Sequence, residues 1–341
     1  MTKKKRIVLI DGDIIVFRTA CACEERSINV LHKKSERSKI FKNRTEFKSY
    51  LTTKDFEYIA DDYEITDQQE LNENLNYKFL LDAQLKSIQE NLWADETLIF
   101  IAGKGNFRES LPLPKRYKGQ RDNLMKPLLR DECKSYLMRK HKAELVHGEE
   151  VDDRVIWVGY EYLEKGYDVV IVTSDKDANA YSGLKLYNYT QDNPKIVEIP
   201  RLGSLWLNDK GDVKGLGMLW YAVQHLIADS TDGMSVKDLT GVTFGEKSAY
   251  KLLKDVLTST EVIETIISKY KEWIGEGVVE YIDHLSNVRV INWLGAADLY
   301  FKGIRMIERK GVLPDFRDFA KIHGIWIDDE LINYVKEKPI D

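Results

Sequence analysis

At 341 residues the chain has room for about two domains, or for one large domain with an appendage. Its residues are 43% hydrophobic and 31% charged with only seven prolines, which excludes a disordered or collagen-like polymer and leaves ample material for a core. The formal net charge is −5, from 51 basic against 56 acidic side chains, and taken globally it argues against a nucleic-acid binder.

In chain order, the basic start Lys3–Arg6 runs into an apolar stretch broken at once by Asp11 and Asp13, which argues against a secretory leader. No apolar run reaches the ~18–20 residues that a bilayer span requires. Arg6–Ile10 (RIVLI), Thr97–Ala102 (TLIFIA) and Val169–Ser174 (VVIVTS) are short continuous apolar runs that read as buried strands of a parallel sheet. Leu81, Leu85, Ile88 and Leu92 recur at helical spacing ahead of the second run, and Glu150–Lys165, stopped by Gly166, predicts a helix ahead of the third. Residues 32–75 are polar and irregular, with an acidic stretch Asp55–Glu73, and read as an insertion containing a hairpin. Leu184–Asn188 and Ile196–Ile199 flank a turn at Asp192-Asn193-Pro194, a further hairpin. From about Gly215 the pattern turns helical: Leu216–Ile227, Tyr250–Leu257, Val262–Trp273 and Val290–Ile307. The alternation predicts a doubly wound parallel α/β region followed by a mainly helical one. Cys21, Cys23 and Cys133 lack zinc-ligand spacing and cannot all pair, so they read as reduced thiols in a cytosolic protein.

The charge is unevenly spread. Between Gly103 and Lys142 twelve basic residues face four acids, a local +8, leaving −13 for everything else. Lys104, Arg108, Lys115, Arg116, Lys118 and Arg121 belong to this block, and Tyr117 and Tyr136 lie among the cations, a composition suited to phosphate contacts with stacking.

Acids gather where strands are expected to end. Asp11 and Asp13 follow the first strand; Asp175 and Asp177 follow the third; Glu149-Glu150-Val151-Asp152-Asp153 opens a predicted helix; and Asp229-Ser230-Thr231-Asp232-Gly233 follows the Leu216–Ile227 helix. In open parallel sheets the site lies beyond the carboxyl ends of the strands. Any one cluster has a bland explanation, since acids cap helix N-termini. Four clusters in one crevice would repel one another unless cations intervened, and all-oxygen ligation suits Mg²⁺ or Mn²⁺. A two-metal carboxylate site beside a phosphate-attracting block points to phosphodiester hydrolysis.

At this point the residues resemble the 5′-nuclease superfamily: flap endonucleases, the 5′-nuclease domains of bacterial DNA polymerases and bacteriophage 5′→3′ exonucleases, the last most closely. Asp11-Gly12-Asp13, Tyr117-Lys118-Gly119-Gln120-Arg121, Glu150-Val151-Asp152-Asp153, Ser174-Asp175-Lys176-Asp177, Asp229–Gly233 and Gly241–Ala249 resemble six of its motifs, in family order. The resemblance implies a PIN-like α/β nuclease core over residues 1–205 with a helical arch at about 104–142. It further implies a helix–three-turn–helix region at 206–275, while 276–341 match no motif. It implies two Mg²⁺ or Mn²⁺ ions ligated or supported by Asp11, Glu150, Asp152, Asp153, Asp175, Asp177, Asp229 and Asp232, with Asp13 as a substitute ligand. Lys118 and Arg121 would act on the scissile phosphate. Lys104, Arg108, Lys115, Arg116 and Tyr117 would contact DNA carrying a duplex portion and a 5′ end, with no membrane partner. Gly241, Gly245, Lys247 and Ser248 would hold duplex backbone, with room for a K⁺ at that turn. Three departures stand out: Gly103 where family members often carry an Asp, Ala228 where Gly is usual, and a spacing from Asp232 to Gly241 longer than in flap endonucleases.

Two other classes compete. RIVLIDGDII also fits the start of a haloacid-dehalogenase-type phosphatase with Asp11 as nucleophile and Asp13 as general acid, and the missing acid at Gly103 fits a non-catalytic nucleic-acid-binding module. His147 reads as a surface or packing residue, and Trp157, Trp206, Trp220, Trp273 and Trp293 read as core rather than as base-stacking platforms.

Overall fold

A computed structural model describes residues 4–122, 124–328 and 335–337. The chain opens with β1 (Arg6–Asp11) and α1 (Gly12–Ala22), then β2 (Glu24–His32), β3 (Arg37–Phe41), α2 (Arg44–Thr53) and β4 (Tyr63–Leu71). Next come α3 (Tyr77–Leu92), β5 (Glu96–Ala102), two 3-10 turns, α4 (Arg130–His141) and β6 (Glu144–Val146). The middle holds α5 (Val151–Glu164), β7 (Asp168–Val172), β8 (Lys185–Tyr187), β9 (Ile196–Glu198), β10 (Ser204–Leu207) and β11 (Val213–Leu216). The last part holds α6 (Gly217–Ile227), α7 (Lys237–Thr240), α8 (Glu246–Leu253) and α9 (Ser259–Ile274), then β12 (Val279–Ile282), β13 (Val288–Ile291), α10 (Trp293–Ile304), α11 (Phe316–Ile322) and β14 (Val335–Glu337). Over the described residues these elements fall into two compact units, one of Met1–Gly12, Ile88–Leu124 and Ala143–Asp341, the other of Asp13–Ser87 and Met125–Lys142.

The first unit is built on a sheet ordered β6–β5–β1–β7–β8–β9, parallel throughout except for the antiparallel β9. The three apolar runs occupy its centre because a strand flanked on both edges and covered on both faces has no polar side to spare. Ile7, Val8, Leu9 and Ile10 are all fully buried. The expected hairpin is β8–β9. The helical part packs Tyr221, Tyr270, Tyr300, Phe301 and Phe316 into the same core as the sheet. Val290–Ile307, expected as one helix, begins on a strand. The alternating Val288-Arg289-Val290-Ile291 pairs with β12, and Asn292 then caps α10, its Oδ1 accepting from Gly295 N at 2.9 Å. The ribbon β10–β11 was not expected either, and it leaves Trp206 exposed. No described helix is long and apolar enough to cross a membrane.

In the second unit, the insertion is more than a hairpin. A three-stranded antiparallel sheet ordered β3–β2–β4 packs Ile28, Val30 and Phe41 on one face against Phe47 and Leu51 of α2. Cys23 and Cys133 are buried free thiols, and Cys21 is half-buried and free. Within residues 104–142 the helical content is α4 in the second unit and the 3-10 turns Phe107–Ser110 and Gly119–Arg121 in the first. Pro112, Pro114 and Pro127 remove amide donors and prevent a continuous helix across this stretch.

Candidate active site

The carboxyl ends of the central strands deliver acids. β1 ends on the buried Asp11, and Asp175 follows β7 as the cap of a 3-10 turn, its Oδ1 accepting from Asp177 N at 2.8 Å. Asp229 is locked in the same way after α6, its Oδ1 accepting from Thr231 N at 2.8 Å and from Thr231 Oγ1 at 2.6 Å. Each cap engages one carboxylate oxygen and leaves the other outside the hydrogen bonding of the turn. A cavity of about 190 Å³ is lined by Glu150, Asp152, Asp175, Asp177, Asp229 and Asp232, with Lys118 and Arg121 on its wall. Asp11 is near enough to Asp152 for their charges to interact.

The electrostatics follow from this crowding. Burial, reinforced by Asp11, Asp175 and Glu150, holds the Asp152 carboxyl well above the usual carboxylate range. Burial also raises Asp175, which Asp229 pushes further in the same direction. Asp177 is pushed up to about 8 by burial and by Asp175 and Asp229. Burial works against the Lys118 ammonium, yet Glu150 and Asp232 outweigh it and raise its pKa. Lys118 Nζ pairs with Glu150 Oε1, and Arg121 Nη2 pairs with Asp232 Oδ1. Lys118 adopts a left-handed backbone conformation (φ 54°), uncommon for a residue with a side chain, and its N–H donates to Asp232 O at 2.9 Å.

Several expected site residues have other work. Asp153 is fully buried and forks to Arg108, with Nη1–Oδ2 at 2.6 Å and Nη2–Oδ1 at 2.9 Å. It also accepts from Glu150 N and Ile307 N, so the helix-capping reading holds for it and it does not line the cavity. Arg108, expected to contact DNA, is only 2% exposed; it further donates to Gly303 O at 2.9 Å and Arg305 O at 2.7 Å. Four of its five N–H donors are thus taken inside the protein, and the fifth, on Nη1, lies on the side of Glu150, whose Oε2 is 3.7 Å away, so the guanidinium is held as part of the cavity wall. Tyr117, expected to stack on bases, is buried, and its hydroxyl lies between Asp232 Oδ2 at 2.9 Å and Glu150 Oε2 at 3.1 Å, with one proton to share between the two carboxylates. Asp13 belongs to the second unit, where its carboxylate pairs with Lys134 at 3.0 Å.

The remaining cations are exposed. Lys115 pairs with Asp238 at 2.7 Å, Arg116 pairs with Asp122, and Lys104 offers its N–H to His147 Nδ1 at 3.1 Å. Gly241 closes α7 in a left-handed conformation (φ 71°), and Gly245 precedes α8, whose first turn carries the exposed Lys247 and Ser248 beside Glu246.

The two single-residue departures from the family pattern differ sterically, since Gly103 is required by its surroundings whereas Ala228 is strained where it stands. A Cβ on Gly103 would stand 2.5 Å from Val146 O and 2.7 Å from the His147 ring, and Gly103 N already donates to Val146 O at 2.7 Å. No aspartate fits there without moving β6. Ala228 has φ 57° and ψ −166°, a region open essentially to glycine alone.

Three further contributors carry no signal in the amino-acid pattern. Gln224 on α6 donates to Asp177 Oδ1, Trp220 Nε1 donates to Lys176 O at 2.9 Å, and Gly303, Ile304 and Met306, in a region without a recognisable motif, form part of the cavity wall. Gln224 and Trp220 sit in the apolar-spaced α6 and are indistinguishable there from ordinary helix residues.

The donor set suits a hard divalent ion: carboxylates only, with neither thiolate nor imidazole in the lining. Among the described residues, no three His, Cys, Asp or Glu side chains stand close enough to hold one ion, and Glu150 and Asp232 are turned onto cations.

No protein-family model and no curated protein matches the chain. Solved structures similar to it include bacteriophage T5 5′-exonuclease with divalent zinc bound, 14% identical over 78% of this chain and 79% of that one, TM-score 0.43. Another is a bacteriophage T5 flap endonuclease pseudo-enzyme-product complex with DNA and metal ions, 12% identical over 76% and 78%, TM-score 0.43. A third, a mutant of the T5 5′-exonuclease, is 10% identical over 89% and 88%, TM-score 0.43.

Proposed function

We propose that the chain is a divalent-metal-dependent 5′→3′ nuclease that hydrolyses DNA phosphodiesters to 5′-phosphate products, as an exonuclease that also cuts structured flaps. One observation carries this reading: six carboxylates from separate chain segments line a single small cavity with Lys118 and Arg121 on its wall. Crowding so many half-buried like charges is unfavourable, and function is the usual reason such an arrangement persists.

In this reading Asp152, Asp175, Asp177 and Asp229 hold two Mg²⁺ or Mn²⁺ ions, supported by Asp11, Glu150 and Asp232. When bound, such ions generate a nucleophilic hydroxide from water and stabilise the attacking and leaving oxygens. Lys118 and Arg121 exchange their carboxylate partners for the scissile phosphate, the planar Arg121 fork orienting it and the Lys118 ammonium offsetting developing charge. Tyr117 holds Glu150 and Asp232 in place, and the Arg108–Asp153 pair fixes the start of α5, from which Glu150 and Asp152 project. Lys104, Lys115 and Arg116 add phosphate contacts, as does the Gly241–Ser248 turn.

The test is digestion of end-labelled duplex, nicked and flapped DNA with Mg²⁺ and then with EDTA, products being sized on a gel. Cleavage from the 5′ end that EDTA abolishes is expected. Asp175→Asn should lower turnover about 10³-fold, the scale of removing one catalytic electrostatic group, with DNA binding retained. Undiminished turnover removes Asp175 from the site, and cleavage that survives EDTA overturns the metal dependence.

A further inference from the structure

The −13 left outside the basic block conceals a second cationic segment. Residues 33–54 carry eight basic side chains against two acids, a net +6, whereas 55–73 carry eight acids and no base. Folding sorts the two signs. β3 carries Arg37 and Lys39 along one edge of the three-stranded sheet, β4 carries Glu64, Asp67 and Glu70 along the other, and β2 lies between. Lys34 and Arg44 are matched by Asp62 and Asp67. Lys33, Arg37, Lys39, Lys42 and Lys48 are exposed and have no carboxylate within ion-pair distance among the described residues. The Lys39 ammonium lies 4.0 Å from the centroid of Tyr50, and that of Lys48 5.3 Å from Tyr58, on the α2 side of the sheet.

We infer that this β3–α2 edge is a phosphate-backbone contact surface for nucleic acid, additional to the cations around the acid-lined cavity. The arrangement favours a linear polyanion over a flat anionic surface. Across two inter-strand spacings the edges are ~10 Å apart, about one Debye length at 0.1 M salt. A strand running along β3 meets the cations and is largely screened from β4. A membrane surface covers both edges and meets a segment whose 33–73 total is −2. Edge-strand lysines also discourage sheet-to-sheet pairing, but that purpose needs no matching cations on α2.

The measurement is fluorescence anisotropy of a labelled 30-bp duplex in EDTA across a salt series, so that binding is read without turnover. The variant combines Lys33→Gln, Arg37→Gln and Lys42→Gln, three exposed positions without ion pairs or ring contacts. The slope of log K against log salt should flatten by about 0.9 for each phosphate no longer neutralised, so by two to three units, with binding at least tenfold weaker near 0.1 M. Replacing Asp61, Glu64 and Glu70 by their amides should tighten binding in the same assay. An unchanged slope and affinity in the lysine–arginine variant overturns the inference. So does an unchanged duplex affinity accompanied by lost sedimentation with phosphatidylserine vesicles, which assigns the edge to a membrane instead. Because the readout excludes catalysis, a protein that never cleaves DNA can still give the expected slope, and an active nuclease can fail to.

Discussion

The cavity at the ends of β1 and β7 and the sheet of β2, β3 and β4 handle charge in opposite ways. The first concentrates six carboxylates around about 190 Å³. The second carries nearly balanced charge and separates the signs onto opposite edges. Concentration raises the carboxyl pKa values and favours cations of small radius; separation leaves each charge solvated and favours a long polyanion. Neither arrangement is what stability alone selects, and that is why both point to ligands. If the comparison is right, neutralising acids in the cavity removes activity while relieving repulsion, whereas neutralising the β3 edge changes salt dependence and little else.

The largest expected effect is therefore the loss of cleavage in Asp175→Asn. Its complement is stability. Asp177, its pKa pushed up to about 8 by burial and by Asp175 and Asp229, binds its proton more tightly folded than unfolded. The folded state is favoured below the unfolded carboxyl pKa, and that advantage is lost as pH rises toward 8. Asp177→Asn should accordingly gain about 1–2 kcal/mol at pH 8 in EDTA, by urea denaturation. A variant less stable than the parent there would mean that the Gln224 hydrogen bond outweighs the repulsion.

A third arrangement sharpens the contrast: opposite charges buried together. Arg108 and Asp153 satisfy one another and engage the carbonyls of Gly303 and Arg305. Arg108→Met leaves Asp153 as an uncompensated charge at zero exposure and should cost about 3–5 kcal/mol. Arg116→Met, at an exposed pair with Asp122, should cost under about 1 kcal/mol. Equal losses in urea unfolding would show that the buried pair is no more than a surface one.

The same contrast explains what could be read from the chain. β1, β5 and β7 were legible because central parallel strands are uniformly apolar, and the acids after β1 and β7 because they interrupt such runs abruptly. Asp152 and Asp153 are adjacent acids in one segment, yet helix rotation sends one to the cavity lining and the other to Arg108; composition cannot separate them. Arg108 and Tyr117 look like members of a cationic, aromatic surface until residues 195 and 197 positions later close over Arg108. The ribbon β10–β11 and the β3/β4 asymmetry were invisible for a different reason: pairing partners, not local pattern, decide which edge a charge occupies.

A last, small effect concerns the backbone beside the cavity. Ala228 ends α6 with φ 57° and ψ −166°, its N–H donating to Gln224 O at 2.8 Å, immediately before Asp229. Strain of this kind costs about 1–3 kcal/mol, and glycine offsets about 0.5–1 kcal/mol of its relief through unfolded-state entropy. Ala228→Gly should thus stabilise the protein by about 1 kcal/mol, a rise of roughly 2–4 °C in Tm for a domain of this size. The position is buried at 6% exposure, so removing the methyl packing opposes the gain. A lower Tm by calorimetry would mean that packing of the Ala228 methyl exceeds the backbone strain, and that the cavity wall is less costly than the crowding of its carboxylates implies.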